Sequence, residues 1–323
     1  MIVTFIVLTF LVAAAFPAAV FWSGVRAGLD RSRARRDTAL TLYLVASWLA
    51  ATGGAAADGW LRFTRPPTMI ALFVSILAIA IAVVASPLGK RLATQLPLWA
   101  LVGFQVFRAG VELLLHRAYV EGVMPRQMSY SGRNFDIISA LTAALVAVWL
   151  ARGGRSMRVV LAWNVLGTLL LANTLSVALQ SAPTRLRVTQ APWVWLPAVM
   201  VLAAIIGHGL VYRRLWLERS SNSASYVLAF AIAGNVIPGG LFLYWMIGHA
   251  NTLAVAFFID LVMSMLFLSY LFARKPLGRV KWPWLIVATL LGTLAFGTPL
   301  YLWLNWRLSP EPRPDFAEWW SNS

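Results

Sequence analysis

Cysteine is absent from the 323 residues, acidic side chains number 11, and there are 3 histidines. Each shortage closes off a class of chemistry. Without cysteine there is no disulfide framework, no thiolate metal site and no thiol nucleophile. With only His116, His208 and His249 and scattered acids, no metal-ligand spacing such as HExxH occurs, and no GxxxxGK phosphate loop is present. Charged residues make up 12% of the chain, about half the share usual in a soluble domain.

What is present in quantity is apolar. Sixty per cent of the residues are hydrophobic, against roughly 45–50% in soluble domains, and the mean hydropathy is +0.74. Ten segments approach the ~20 apolar residues that span a hydrocarbon core of ~30 Å: 2–22, 38–57, 67–85, 96–115, 134–151, 159–180, 193–212, 226–248, 253–273 and 284–304. The fold class expected is all-α, a polytopic transmembrane helical bundle of about ten spanning helices. The segments divide into a seven-helix membrane domain (1–217), a cytoplasmic linker (218–225), a three-helix membrane domain (226–306) and an extracytoplasmic tail (307–323). The first segment lacks a positive n-region and is too long for a signal peptide, so it reads as a retained anchor.

A net charge of +16 in a soluble protein would suggest nucleic acid. Here the basic residues sit in short connections, and no nucleic acid is expected. Seventeen of the 27 fall in the connections 23–37, 86–95, 152–158, 213–225 and 274–283, nine fall on the other side, and Arg108 lies within the fourth segment. The positive-inside rule then places both termini outside, in a bacterial cytoplasmic (inner) membrane. Tryptophan agrees: Trp22, Trp60, Trp99, Trp193, Trp195, Trp216, Trp245, Trp282, Trp284, Trp303 and Trp306 fall near segment ends, where the indole favours the headgroup zone, while Trp48 is mid-segment. The second segment is rich in Ala, Gly and Ser, residues that pack helices in lipid, and is expected to be tightly packed and central.

Ionisable groups within a membrane are site candidates by default. Arg108, Glu112 and His116 recur at spacings of four on one helix face, with Gln105 on a neighbouring stripe, and Arg133, Asn134 and Asp136 follow. These seven are the ligand-binding candidates. Asp260, mid-segment with Ser264 one turn on, is the ion-coupling candidate, its alternative being a polar clamp to Asn235 or another residue of the bundle. The GNVIPGG stretch (234–240) reads as a helix break of a kind that lines many transporter sites. No metal or cofactor is implied, and no residue is assigned a catalytic role.

Residues 104–142 resemble a group of uncharacterised bacterial multi-pass membrane proteins whose signature is an Arg–Glu–His helix followed by a GRNFDI-type stretch. The matching positions are Arg108, Glu112, His116, Gly122, Gln127, Met128, Gly132, Arg133, Asn134, Phe135 and Asp136. The portion 226–306, with NVIPGGLF, FFIDLVMSMLF and GTPLYLWL, is similar to a three-helix bacterial membrane domain of unknown function. That domain carries an acidic residue after its second helix, where this chain has Ala273-Arg274-Lys275. The resemblance implies a membrane fold and no particular activity.

Three functions follow from these residues. The first is binding or transport of a small polar or amphipathic ligand through an outer-facing pocket, which requires a vestibule reaching Glu112. The second is a structural or accessory membrane subunit, which requires Arg108 and Asp136 to pair. The third is a membrane-embedded enzyme on a lipid-like substrate, with Glu112 and His116 as acid and base. The expected partners are the bilayer and a small-molecule or lipid ligand; protein partners are not indicated.

Overall fold

Apolar runs of this length leave the backbone little choice, because in hydrocarbon each N–H and C=O must be paired within its own segment. The computed structural model describes residues 1–61, 66–181, 190–218, 264–274, 277–291 and 294–308, and every regular element among them is helical. Two compact units are formed, Met1–Glu218 and Arg219–Ser323. The first contains α1 (Ile2–Arg26), α2 (Arg31–Ala57), α3 (Pro66–Ala85), α4 (Pro87–Gln95), α5 (Leu98–Gly103), α6 (Phe107–Val120), α7 (Asp136–Ala151), α8 (Met157–Ser181) and α9 (Leu202–Glu218). A 3-10 turn at Phe104–Val106 joins α5 to α6, and a π-helical turn at Leu196–Val201 leads into α9.

Five helices are long and apolar enough to cross a membrane: Ile2–Arg26, Arg31–Ala57, Leu98–Val120, Met157–Ala178 and Leu196–Glu218. Ala71–Ala85 and Pro87–Gln95, bent by 65°, make a sixth if counted as one span. The chain is therefore a helical membrane protein, with five or six such spans among the described residues against ten predicted over its length. At 1.5 Å per residue, the 16 residues of α7 reach only about 24 Å. Segment eight, most of segment nine, Asp260, Asn235 and GNVIPGG lie outside the described residues.

Three boundaries differ from expectation. The second helix starts at Arg31 rather than 38, because arginine is a good helix former and the RSRARR run continues the helix into the polar zone. Residues 86–95 hold α4 rather than a loop. Ser86 caps it by accepting from Gly89 N at 3.0 Å, and Pro87 needs no donor at its first position. The seventh segment runs on to Glu218 because its basic end finds partners. Arg213 Nη1 donates to Ser86 O at 2.6 Å and also to Val84 O; Arg214 Nη1 donates to Ala93 O at 3.0 Å and also to Thr94 O.

The centre of the unit is also not the one predicted. Only Ala34, Leu49, Thr52 and Ala56 of α2 are buried, and 17% of its spanning window is covered, against 72% for Leu196–Glu218. The small residues of α2 mostly face outward; α3, α4 and α8 pack on α9 instead. Trp48 explains its mid-helix position by donating from Nε1 to Ala198 O at 2.7 Å, while Trp195 Nε1 reaches back to Leu49 O at 3.2 Å.

The unit has two distinct ends. At one, Phe5 of α1 joins Leu115 of α6, Met128, Val177 of α8 and Trp193. At the other, Asp37 pairs with Arg91 at 2.7 Å and Arg213 and Arg214 hold the α3–α4 corner. In the second unit, α10 (Ser264–Arg274), α11 (Pro283–Leu291) and α12 (Leu294–Leu308) enclose Phe272, Leu285 and Tyr301. The Tyr301 hydroxyl donates to Val280 O at 2.9 Å, and Asn305 Oδ1 accepts from Val280 N at 2.9 Å.

Candidate functional site

A guanidinium offers five N–H donors and no acceptor, so burying one requires five partners. Arg108, at the start of α6 and 2% exposed, has them. Nε donates to Asp136 Oδ2 at 2.7 Å and Nη2 to Asp136 Oδ1, a two-pronged ion pair with the first residue of α7. Nη1 donates to Ser139 Oγ and meets His208 Nε2, each at 2.8 Å, and Nη2 reaches Gly167 O at 3.3 Å. One side chain thus joins α6 to α7, α8 and α9. The approach of Arg108 to Asp136 is the one a packing role requires.

One turn along α6, Glu112 is 1% exposed and accepts from Asn134 Nδ2 at 2.8 and 2.9 Å. Asn134 is a second hub. Its Nδ2 also donates to Met128 O at 3.1 Å, and its Oδ1 accepts from Thr174 Oγ1 at 2.7 Å and from Asp136 N at 3.2 Å. That last bond turns the chain into α7, as Asn side chains commonly do two residues on. Glu112 has no ion-pair partner among the described residues.

The remaining candidates are separate from this cluster. Gln105, in the 3-10 turn, donates to Ala204 O at 3.0 Å, against a helix face where Gly207 leaves it room. His116 does not face Glu112: its Nδ1 lies 3.2 Å from Ser131 Oγ and its ring stacks on Tyr130, centroids 4.3 Å apart. Arg133 is exposed, and only its backbone carbonyl is used, accepting from Asn173 Nδ2 at 2.7 Å.

Sequence reasoning missed Ser139, Asn164, Gly167, Thr174 and His208. The predicted segment 193–212 leaves His208 near its end; with the helix running to Glu218 it sits well inside, within reach of Arg108. Its Nδ1 pairs with Asn164 Oδ1 at 2.8 Å, leaving Nε2 to accept from Arg108, which fixes the tautomer. A signal was present in α8. At 100° per residue, Asn164, Gly167, Thr168 and Thr174 fall within about 120° of one another, on one face of the helix.

Beside the cluster lies a cavity of about 380 Å³. Phe73, Val74 and Leu77 of α3 form one wall, Leu171 and Leu175 of α8 another, and Leu196, Pro197 and Met200 of the π turn a third. Arg108, Glu112, Asp136 and Thr174 are its polar groups. Val74 and Leu77 are 58% and 52% exposed, so the cavity reaches the outer face of α3. Among the described residues no group of His, Cys, Asp or Glu is arranged to hold a metal ion.

No curated protein and no solved structure matches the chain. Residues 66–216, which run from α3 almost to the end of α9 and include all the residues of the polar cluster, match a family described as a domain of unknown function, DUF8737.

Proposed function

We propose that this chain is a multi-pass protein of a bacterial inner membrane that binds, and in doing so carries, a small amphipathic ligand in the cavity beside Arg108 and Glu112. The observation that carries this reading is the combination of an apolar chamber with a buried charged wall. Chambers of ~300–1,000 Å³ lined by apolar side chains with a few convergent polar groups are the usual form of small-molecule sites. The ten-crossing topology with both termini outward belongs to the same reading. It is supported by the basic residues gathered at one end of the first unit, as is a two-part chain by the likeness of 226–306 to a three-helix membrane domain.

Filling the chamber tests the proposal. Leu77→Trp adds bulk from the exposed side of α3, where the fold can accommodate it. Native mass spectrometry of the full-length protein released from detergent should show a bound small amphiphile in wild type that this variant lacks. Identical spectra for the two proteins would overturn the assignment.

A structural role is the second reading, and a specific observation favours it: all five Arg108 donors are taken by protein groups from three other helices. Under it, Leu77→Trp changes nothing, whereas Asp136→Ala lowers the thermal stability of the fold.

A further inference from the structure

The chemistry of the occupant follows from which polar atoms at the cavity wall are already engaged. Arg108 has a partner for each of its five N–H groups. The Thr174 hydroxyl is donated to Asn134 Oδ1, and Asn134 Nδ2 is committed to Glu112 and Met128 O. With Glu112 ionised, no side-chain donor at this wall is left, among the described residues, for an anionic head group. What remains is acceptor capacity: with one Asn134 N–H given to Met128 O, the other is shared between the two Glu112 oxygens, and each can take more. The charges point the same way. One guanidinium faces two carboxylates, and Asp136 occupies it, so Glu112 stands without a counter-charge among the described residues. Burial without a counter-charge is relieved either by a proton on the carboxylate or by a cationic partner that brings its own donors, and an ammonium group supplies the second.

Resting on the ligand-binding reading of this cavity, we propose that its occupant is a single-chain aliphatic ammonium compound. Its N–H groups bond Glu112, and its alkyl tail lies along Leu171, Leu175 and Met200 toward the exposed face of α3. Binding is non-covalent and requires no other reactant. The Arg108–Asp136 pair stays intact and serves as a fixed, neutral part of the wall.

Three probes of equal length, octylamine, octanol and octanoate, separate head-group chemistry from tail burial. An alkylamine is cationic at pH 7, its pKa lying near that of a lysine at ~10.4. Titrated into the detergent-solubilised full-length protein and read by native mass spectrometry, octylamine should bind at least about tenfold more tightly than octanol, the order expected of one charge-assisted hydrogen bond, with octanoate weakest. Glu112→Gln should bring octylamine down to the octanol level while octanol itself shifts by less than about twofold, since its tail contacts are untouched. An amine preference that survives Glu112→Gln, or octanoate binding best, would overturn the proposal. If that variant does not fold, the ranking of the three probes on wild type decides alone. Failure of the parent reading looks different: no probe binds, or Leu77→Trp leaves all three unaffected. Binding that Leu77→Trp removes but that ignores the head group keeps the cavity as a site and rejects only the ammonium.

Discussion

At the scale of single residues, the Arg108–Asp136 pair is held by need rather than by net gain. Moving two charges out of water is offset only when geometry and additional hydrogen bonds are good, whereas deleting one partner of a buried pair costs about 3–5 kcal/mol. Asp136→Ala should therefore lower thermal stability by an amount of that order. The double variant Arg108→Met/Asp136→Leu should recover most of it, and a thermal melt of both proteins in detergent checks the contrast. Equal losses in the single and double variants would mean that the pair is not what holds these helices. Gly167 gives a steric counterpart. A Cβ there would lie 2.5 Å from His208 Cε1 and 2.9 Å from Ser139 Oγ. Gly167→Ala should thus destabilise by about 1–3 kcal/mol through overpacking, against Gly54→Ala, where nothing lies within 4 Å, as the control in the same melt.

At the scale of elements, the α3–α4 corner decides where the first unit's charged end sits. Ser86 caps α4 there, but the geometry depends on Gly89 having no side chain. A Cβ at Gly89 would run into the Val83 carbonyl and lie 2.7 Å from Val84 O, both backbone atoms that cannot swing aside. Gly89→Ala should open the 65° bend, detach Arg213 from Val84 O and Ser86 O, and raise proteolysis at the corner. Ser86→Ala should cost only about 1 kcal/mol, the worth of an N-cap, and leave cleavage near the wild-type level. Limited proteolysis of the two variants distinguishes them. Where the sequence misled at this scale, the cause was length or burial. Nine residues of α4 are too few to register as a span, and the Ala/Gly richness of α2 identifies a helix that can pack closely without saying which helix it packs on.

At the scale of the whole molecule, the absence of cysteine makes crossing number directly testable, because any introduced thiol is unique. Ser32→Cys and Ser156→Cys should react with a membrane-impermeant maleimide only after the membrane is opened. Asp58→Cys and Glu121→Cys should react in intact cells. These four positions are exposed, so accessibility reflects side alone. Labelling of Ser32→Cys and Glu121→Cys from the same side would overturn the alternating topology of the first unit.

The membrane class, the helical fold, the basic end and the residues Arg108, Glu112, Asn134 and Asp136 all followed from the sequence. Apolar run length and the penalty on buried charge are properties of local composition. Which of those charges would be closed and which left open was settled only by tertiary structure. Arg108 draws its five partners from positions up to 100 residues away, and no spacing along α6 reveals that His208, Asn164 and Gly167 converge on it. The chamber against α3 arises in the same way. Helices α3 and α8 each pack on α9, and the space between them, with Glu112 at its wall, exists only once all three are in place.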